Sequence, residues 1–138
     1  HADLSIKAAG KGKHILCEKP GALNFKQASV VIEKVKEAGG EIQAIFYCPC
    51  LESPDCSCRK PKPGMLLEIA NRFNVAPDGI PFVGDSLRDL QAATSANCLP
   101  ILVLTGNGRL TLKSPELPVN TITCENLDNA ARKIIHGL

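Results

Sequence analysis

The chain has 138 residues, 44% of them hydrophobic but only 4% aromatic, with no Trp. That length suits one domain with a core of Ile, Leu, Val and Ala, and the composition argues against wholesale disorder. Sixteen basic against fourteen acidic residues leave a charge of +2, which predicts no strong attraction to nucleic acid or to a membrane surface.

Residues 2–10 carry Leu4, Ile6, Ala8 and Ala9 and read as a helix closed by Lys11-Gly12-Lys13. Residues 14–17 form a short strand stopped by Lys19-Pro20-Gly21. Asn24 is the expected N-cap of a helix running to residue 38, with Ala28, Val31, Ile32 and Val35 on one face and Gly39-Gly40 as its stop. Residues 42–47 are the next strand and lead into a cysteine-rich loop that ends at Pro63. A helix over 65–73 places Leu66, Ile69, Ala70 and Phe73 together; a strand over 80–83 and a helix over 87–95 follow. Residues 100–104 are continuously apolar, as in a strand buried on both faces. A loop with Gly106, Gly108, Pro115 and Pro118 leads to a last strand, 120–124, and a last helix, 127–136. This alternation predicts a single α/β domain: a three-layer, Rossmann-like parallel sheet of about five strands with helices on both faces.

Ligands in such sheets bind at the carboxyl ends of the strands. Three polar clusters fall there: Glu18-Lys19-Pro20, the stretch from Cys48 through Lys60, and Gly84-Asp85-Ser86. The second holds Cys48, Cys50, Cys56 and Cys58, four of the seven cysteines, in a C-x-C-x5-C-x-C pattern. Disulfides or free thiols are the alternatives, but Cys-x-Cys neighbours bridge poorly, and four convergent thiolates suit a tetrahedral zinc ion. Cys17, Cys98 and Cys124 lie in or beside apolar stretches and read as small buried residues.

Asp85 follows a buried strand and would offer a hard oxygen to Mg²⁺, with Asp89 one turn on to orient it. The simpler reading is that Asp85 or Ser86 only caps the next helix. Arg59 and Lys60 could grip a phosphate, a reading that the pre-ordering by Pro61 and Pro63 favours, or be part of a solvated basic loop. His1, His14 and His136 show no partnering pattern. No apolar run approaches the ~18 residues of a membrane span, and the polar start shows no export pattern, so a cytoplasmic protein is expected. Without an initiator Met, the chain reads as a processed or excised piece.

From residue 39 on, the chain resembles the D-glycero-D-manno-heptose 1,7-bisphosphate phosphatases of the haloacid dehalogenase (HAD) superfamily. The resemblance rests on Ala44-Ile45-Phe46-Tyr47-Cys48-Pro49-Cys50, Cys56-Ser57-Cys58-Arg59-Lys60-Pro61, Pro63-Gly64-Met65-Leu66 and Phe82-Val83-Gly84-Asp85-Ser86. It implies a structural zinc on the four cysteines, with Cys50 at a position that is usually His. It also implies Lys60 as the catalytic lysine stabilising the phosphoryl group, Arg59 as a second substrate-phosphate ligand, and Asp85 as a magnesium ligand.

Residues 1–38 instead resemble a segment of the Gfo/Idh/MocA oxidoreductases, through His1-Ala2-Asp3-Leu4, Ala8-Ala9 and Gly12-Lys13-His14-Ile15-Leu16-Cys17-Glu18-Lys19-Pro20. In that family the Glu-Lys-Pro stretch lies beside the nicotinamide and its Lys assists catalysis. Neither set is complete. The phosphatases use an Asp-x-Asp motif, the first Asp as nucleophile and the second as general acid. These 138 residues contain none, and Asp3 is the only Asp before Asp55. The glycine-rich nucleotide turn is missing too. Three expectations follow: a chimeric α/β domain that keeps the zinc loop but no nucleophile; a phosphatase completed by a second chain; or an assembly module with an exposed sheet edge. Expected partners are a weakly bound sugar phosphate and a second, strand-exchanged copy.

Overall fold

The computed structural model describes residues 25–37, 39, 41–50 and 54–137. The predicted helix over 2–10, the strand over 14–17, and Cys17, His1, His14 and Glu18-Lys19-Pro20 lie outside them. The chain forms two compact units, His1–Tyr47 and Cys48–Leu138.

In the first unit, helix α1 spans Phe25–Glu37. Of its predicted apolar face, Val35 is fully buried, but Ile32 is exposed. The helix stops before Gly39, whose φ of +79° suits glycine and whose N–H donates to the Lys36 carbonyl at 3.0 Å. Residues 42–47 alternate between half-buried and exposed, as a strand would, yet they pair with no strand among the described residues.

The second unit carries the sheet. Helix α2 (Gly64–Phe73) is followed by strand β1 (Pro81–Gly84), helix α3 (Leu87–Ser95), strand β2 (Leu99–Val103), a short helix α4 (Gly108–Thr111), strand β3 (Ile122–Cys124) and helix α5 (Leu127–His136). The described sheet has three strands in the order β1-β2-β3, all parallel. Pro81 registers with Leu99, and Ile101 with Ile122. The α/β class and the parallel sheet therefore hold, with three of the roughly five expected strands seen among the described residues.

Strand β2 is central because its side chains want cover on both faces. Pro100, Ile101 and Leu102 are fully buried, and Val103 nearly so. On one face Phe82 packs with Ala93, Ala96 and Cys98, and Leu66 of α2 closes over them. On the other, Ile101 and Val103 pack with Cys124 and with Ala130 of α5, flanked by Val83 and Ile122. Small side chains on α3 and α5 let both helices lie close to the sheet, giving the three layers. Burying a Leu or Ile side chain contributes ~1.5–3 kcal/mol, so β2 anchors this unit.

Helix ends follow local chemistry. Ser86 caps α3 in a reciprocal box with Asp89, and the Asn126 side chain caps α5 by accepting the Asn129 N–H at 2.9 Å. Helix α2 ends at Asn74, which adopts φ +51°. Helix α4 was not expected, because a segment between two glycines and two prolines reads as loop.

Candidate functional site

Two groups of polar side chains are joined by the loop that begins at Cys48: a thiol cluster, and a set of charged residues near the carboxyl end of β1. Cys48, Cys50, Cys56 and Cys58 bring their sulfurs within 4.8 Å of one another. The separations are 3.7 Å for Cys48–Cys56, 3.6 Å for Cys50–Cys58, 3.5 Å for Cys56–Cys58 and 3.0 Å for Cys58–Cys48. A tetrahedron with Zn–S bonds of ~2.3 Å has edges of about 3.8 Å, so the donor set fits one tetrahedral ion after small adjustments. Cys48 and Cys56 are buried; Cys50 and Cys58 are half-buried. None of the six described cysteines is in a disulfide.

The thiols also perturb one another. The Cys50 thiol donates to Cys56 and pulls it down to about 6. Cys58 is pushed up to about 12, first because it donates to Cys48 and then by burial. Close thiols compete for protons in this way until a cation replaces those protons, because metal ligation requires thiolates. The four cysteines could therefore hold a metal ion.

The loop continues directly into the cationic residues. The Arg59 guanidinium donates through Nη1 to the Cys50 carbonyl at 3.3 Å, which ties it to the thiol cluster. Lys62 donates to the Pro54 carbonyl across the same loop. Lys60 turns the other way and forms an ion pair with Asp89, where the two side chains are 17% and 4% exposed.

Asp89 is the best-satisfied acid of the site. Its Oδ1 meets Lys60, and its Oδ2 accepts the Ser86 N–H at 2.9 Å and the Ser86 hydroxyl at 2.7 Å. Burial pushes its carboxyl up, but Lys60 and Ser86 outweigh that and hold it below the ordinary carboxylate range. Gly84 makes the room for it: a Cβ there would lie 2.3 Å from the Asp89 Cβ.

Asp85 is held separately. Its Oδ2 accepts the Asn107 N–H at 2.8 Å, and its carbonyl accepts the Thr111 hydroxyl at 2.8 Å. The predicted pairing of Asp89 with Asp85 is thus replaced by a pairing of Asp89 with Lys60. Sequence spacing favours an i,i+4 neighbour; the half-buried Lys60 ammonium 29 residues away offers a stronger partner. The helix-cap alternative belongs to Ser86. Sequence reasoning missed Gly106, Asn107 and Thr111, whose only signal was the pair of glycines flanking Asn107.

The remaining residues have simpler surroundings. Cys98 and Cys124 are buried core residues, and burial pushes the Cys98 thiol up. His136 is exposed. Among the described residues no helix is long and apolar enough to cross a membrane.

Comparison with known proteins identifies similar sequences and a similar fold. Residues 57–130 match the HAD-hydrolase-like family model. Residues 1–46 match the model of an oxidoreductase family with an NAD-binding Rossmann fold, Gfo/Idh/MocA. D-glycero-beta-D-manno-heptose-1,7-bisphosphate 7-phosphatase of Bordetella bronchiseptica is 52% identical over 99 residues, 72% of this chain and 55% of that protein. The protein of the same name from Pseudomonas aeruginosa is 47% identical over 103 residues, 75% of this chain and 57% of that protein. The chain thus spans about half the length of these curated relatives. A crystal structure of D,D-heptose 1,7-bisphosphate phosphatase from B. bronchiseptica, complexed with magnesium and phosphate, superposes with a TM-score of 0.72. It is 44% identical, over 82% of this chain and 65% of that one.

Proposed function

The chain belongs to the HAD-hydrolase-like family, and on that premise we propose that it is a phosphatase-derived α/β domain. In this reading it keeps a zinc loop and part of a phosphate and magnesium site, and lacks a nucleophile of its own. The observation that carries the reading is the Lys60–Asp89 ion pair near the carboxyl end of a parallel strand, joined through one loop to four convergent thiols.

Each side chain then has a role. Cys48, Cys50, Cys56 and Cys58 hold zinc in a closed, four-thiolate site, where the ion supplies rigidity rather than a reactive water. The zinc loop fixes Arg59 through its bond to Cys50, so that the guanidinium can take a substrate phosphate in bidentate fashion. Lys60 offsets the negative charge of a phosphoryl group, and Asp89 holds its ammonium in place. Asp85 provides one hard oxygen ligand for Mg²⁺. A relative crystallised with magnesium and phosphate supports that assignment.

No Asp-x-Asp motif occurs in these 138 residues. By themselves they have no carboxylate placed to form an aspartyl-phosphate, and so no route to hydrolysis by that mechanism. Matches to two unrelated families, in residues 1–46 and 57–130, support a chimeric origin. The test is to add a heptose 1,7-bisphosphate and Mg²⁺ to the purified chain and follow phosphate release. The domain is expected to bind the sugar phosphate weakly and release none; turnover would refute the reading.

One observation favours a second reading. Among the described residues only β2 pairs with β1, leaving the other edge of β1 open. A strand bearing Asp-x-Asp, supplied by a different chain, would complete both the sheet and the site there, whereas a strand-exchanged copy of this chain would complete the sheet alone. Phosphatase activity appearing only when such a peptide is added supports it; no activity at any peptide concentration removes it.

A further inference from the structure

We propose that the turn Thr105-Gly106-Asn107, between β2 and α4, is a positioning element that holds the Asp85 carboxylate ready as a ligand for a divalent cation. The proposal rests on the reading of Asp85 as a magnesium ligand and adds the residues that aim it.

Two hydrogen bonds reach Asp85 at different points, one from the turn and one from α4 behind it. The Asn107 N–H donates to Oδ2, and the Thr111 hydroxyl donates to the main-chain carbonyl, each at 2.8 Å. Backbone and side chain are therefore both pinned. Among the described residues no donor reaches Oδ1, which leaves one oxygen of a half-buried carboxylate for a cation. A hard oxygen fixed on one side by a backbone amide suits a small divalent ion, because the orientation is set before binding.

The turn exists in this form only with glycine at 106. Gly106 has φ +57°, and a Cβ there would lie 2.2 Å from Asp85 Oδ2. Any side chain at 106 must therefore displace the carboxylate or the turn. The steric demand comes from the acid itself, which sets it apart from an ordinary loop glycine.

Mn²⁺, read by electron paramagnetic resonance, is the probe for the purified full chain. Wild type should bind it, Asp85→Ala should not, and Gly106→Ala should bind it roughly 10- to 100-fold more weakly, the range for groups that orient a metal ligand. Gly106→Asn separates crowding from backbone strain, since Asn tolerates positive φ yet still carries the Cβ. It should show the same weakened binding while circular dichroism confirms a folded protein. The Asn107 amide should also exchange with solvent at least tenfold faster in Asp85→Ala than in wild type. Wild type that binds no Mn²⁺ overturns the cation reading of Asp85. Binding that is lost in Asp85→Ala but kept in both Gly106 variants overturns the role of the turn alone.

Discussion

Replacing Asp89 by Ala removes three interactions at once from a residue only 3% exposed. The Lys60 ammonium loses the Asp89 carboxylate, the Ser86 N–H and hydroxyl lose the oxygen they donate to, and the capping box at the start of α3 loses its reciprocal half. Breaking a buried ion pair by deleting one partner costs about 3–5 kcal/mol. Lys60 keeps 17% of its side chain exposed, so water recovers part of that, and ~2–3 kcal/mol is the better figure for the pair. Ser86 still accepts the backbone N–H of residue 89, so only the reciprocal half of the box is lost, which adds up to ~1 kcal/mol. Asp89→Ala should therefore cost roughly 2–4 kcal/mol, a fall in Tm on the order of 10 °C.

The ion pair also sets a pH dependence. Asp89 titrates below its unfolded value of about 3.9, so its contribution is fully present above that value and is lost as pH falls through the folded one. Urea unfolding followed by circular dichroism from pH 7 to pH 3 measures both effects. Wild type should lose stability steeply below about pH 4, and Asp89→Ala should show a flatter acid limb. A variant within about 0.5 kcal/mol of wild type, the range of an ordinary surface change, would refute the buried ion pair.

Three other outcomes are expected. Metal analysis of the purified chain should find about one zinc per molecule; Cys58→Ser should lower that content, and a fully folded chain that never binds zinc would refute the four-thiolate site. Leu102→Ala, at a fully buried position of β2, should cost ~2–5 kcal/mol in chemical denaturation, whereas a near-neutral result would mean that β2 is not the core strand. Light scattering after size exclusion tests strand exchange through the open edge of β1: a dimer is expected if copies complete each other, and a strict monomer excludes it.

The longer helices α2, α3 and α5 were legible because their boundaries are written locally, unlike the single turn of α4. Ser86 and Asn126 each precede an apolar pattern at helical spacing, and the predicted limits 87–95 and 127–136 coincide with α3 and α5. The continuous apolar run from Pro100 likewise marked β2 as buried on both faces. Residues 42–47 show why pairing is harder to read. Their alternation is visible in the sequence, but a strand needs a neighbour, and periodicity does not specify one. The site divides in the same way. The thiol cluster was evident because its four cysteines lie within one loop. The bond of Asp89 to Lys60 and the hold of Asn107 on Asp85 join residues 29 and 22 positions apart, and no local spacing announces them.

The most direct test of a phosphatase-derived site without its nucleophile is phosphate release itself. Wild type, Lys60→Ala and Asp85→Ala would be compared on a heptose 1,7-bisphosphate with Mg²⁺. All three should be equally inactive, at the level of the buffer. Magnesium-dependent release by wild type that disappears in both variants would contradict the proposal and show that these residues contain a complete catalytic site.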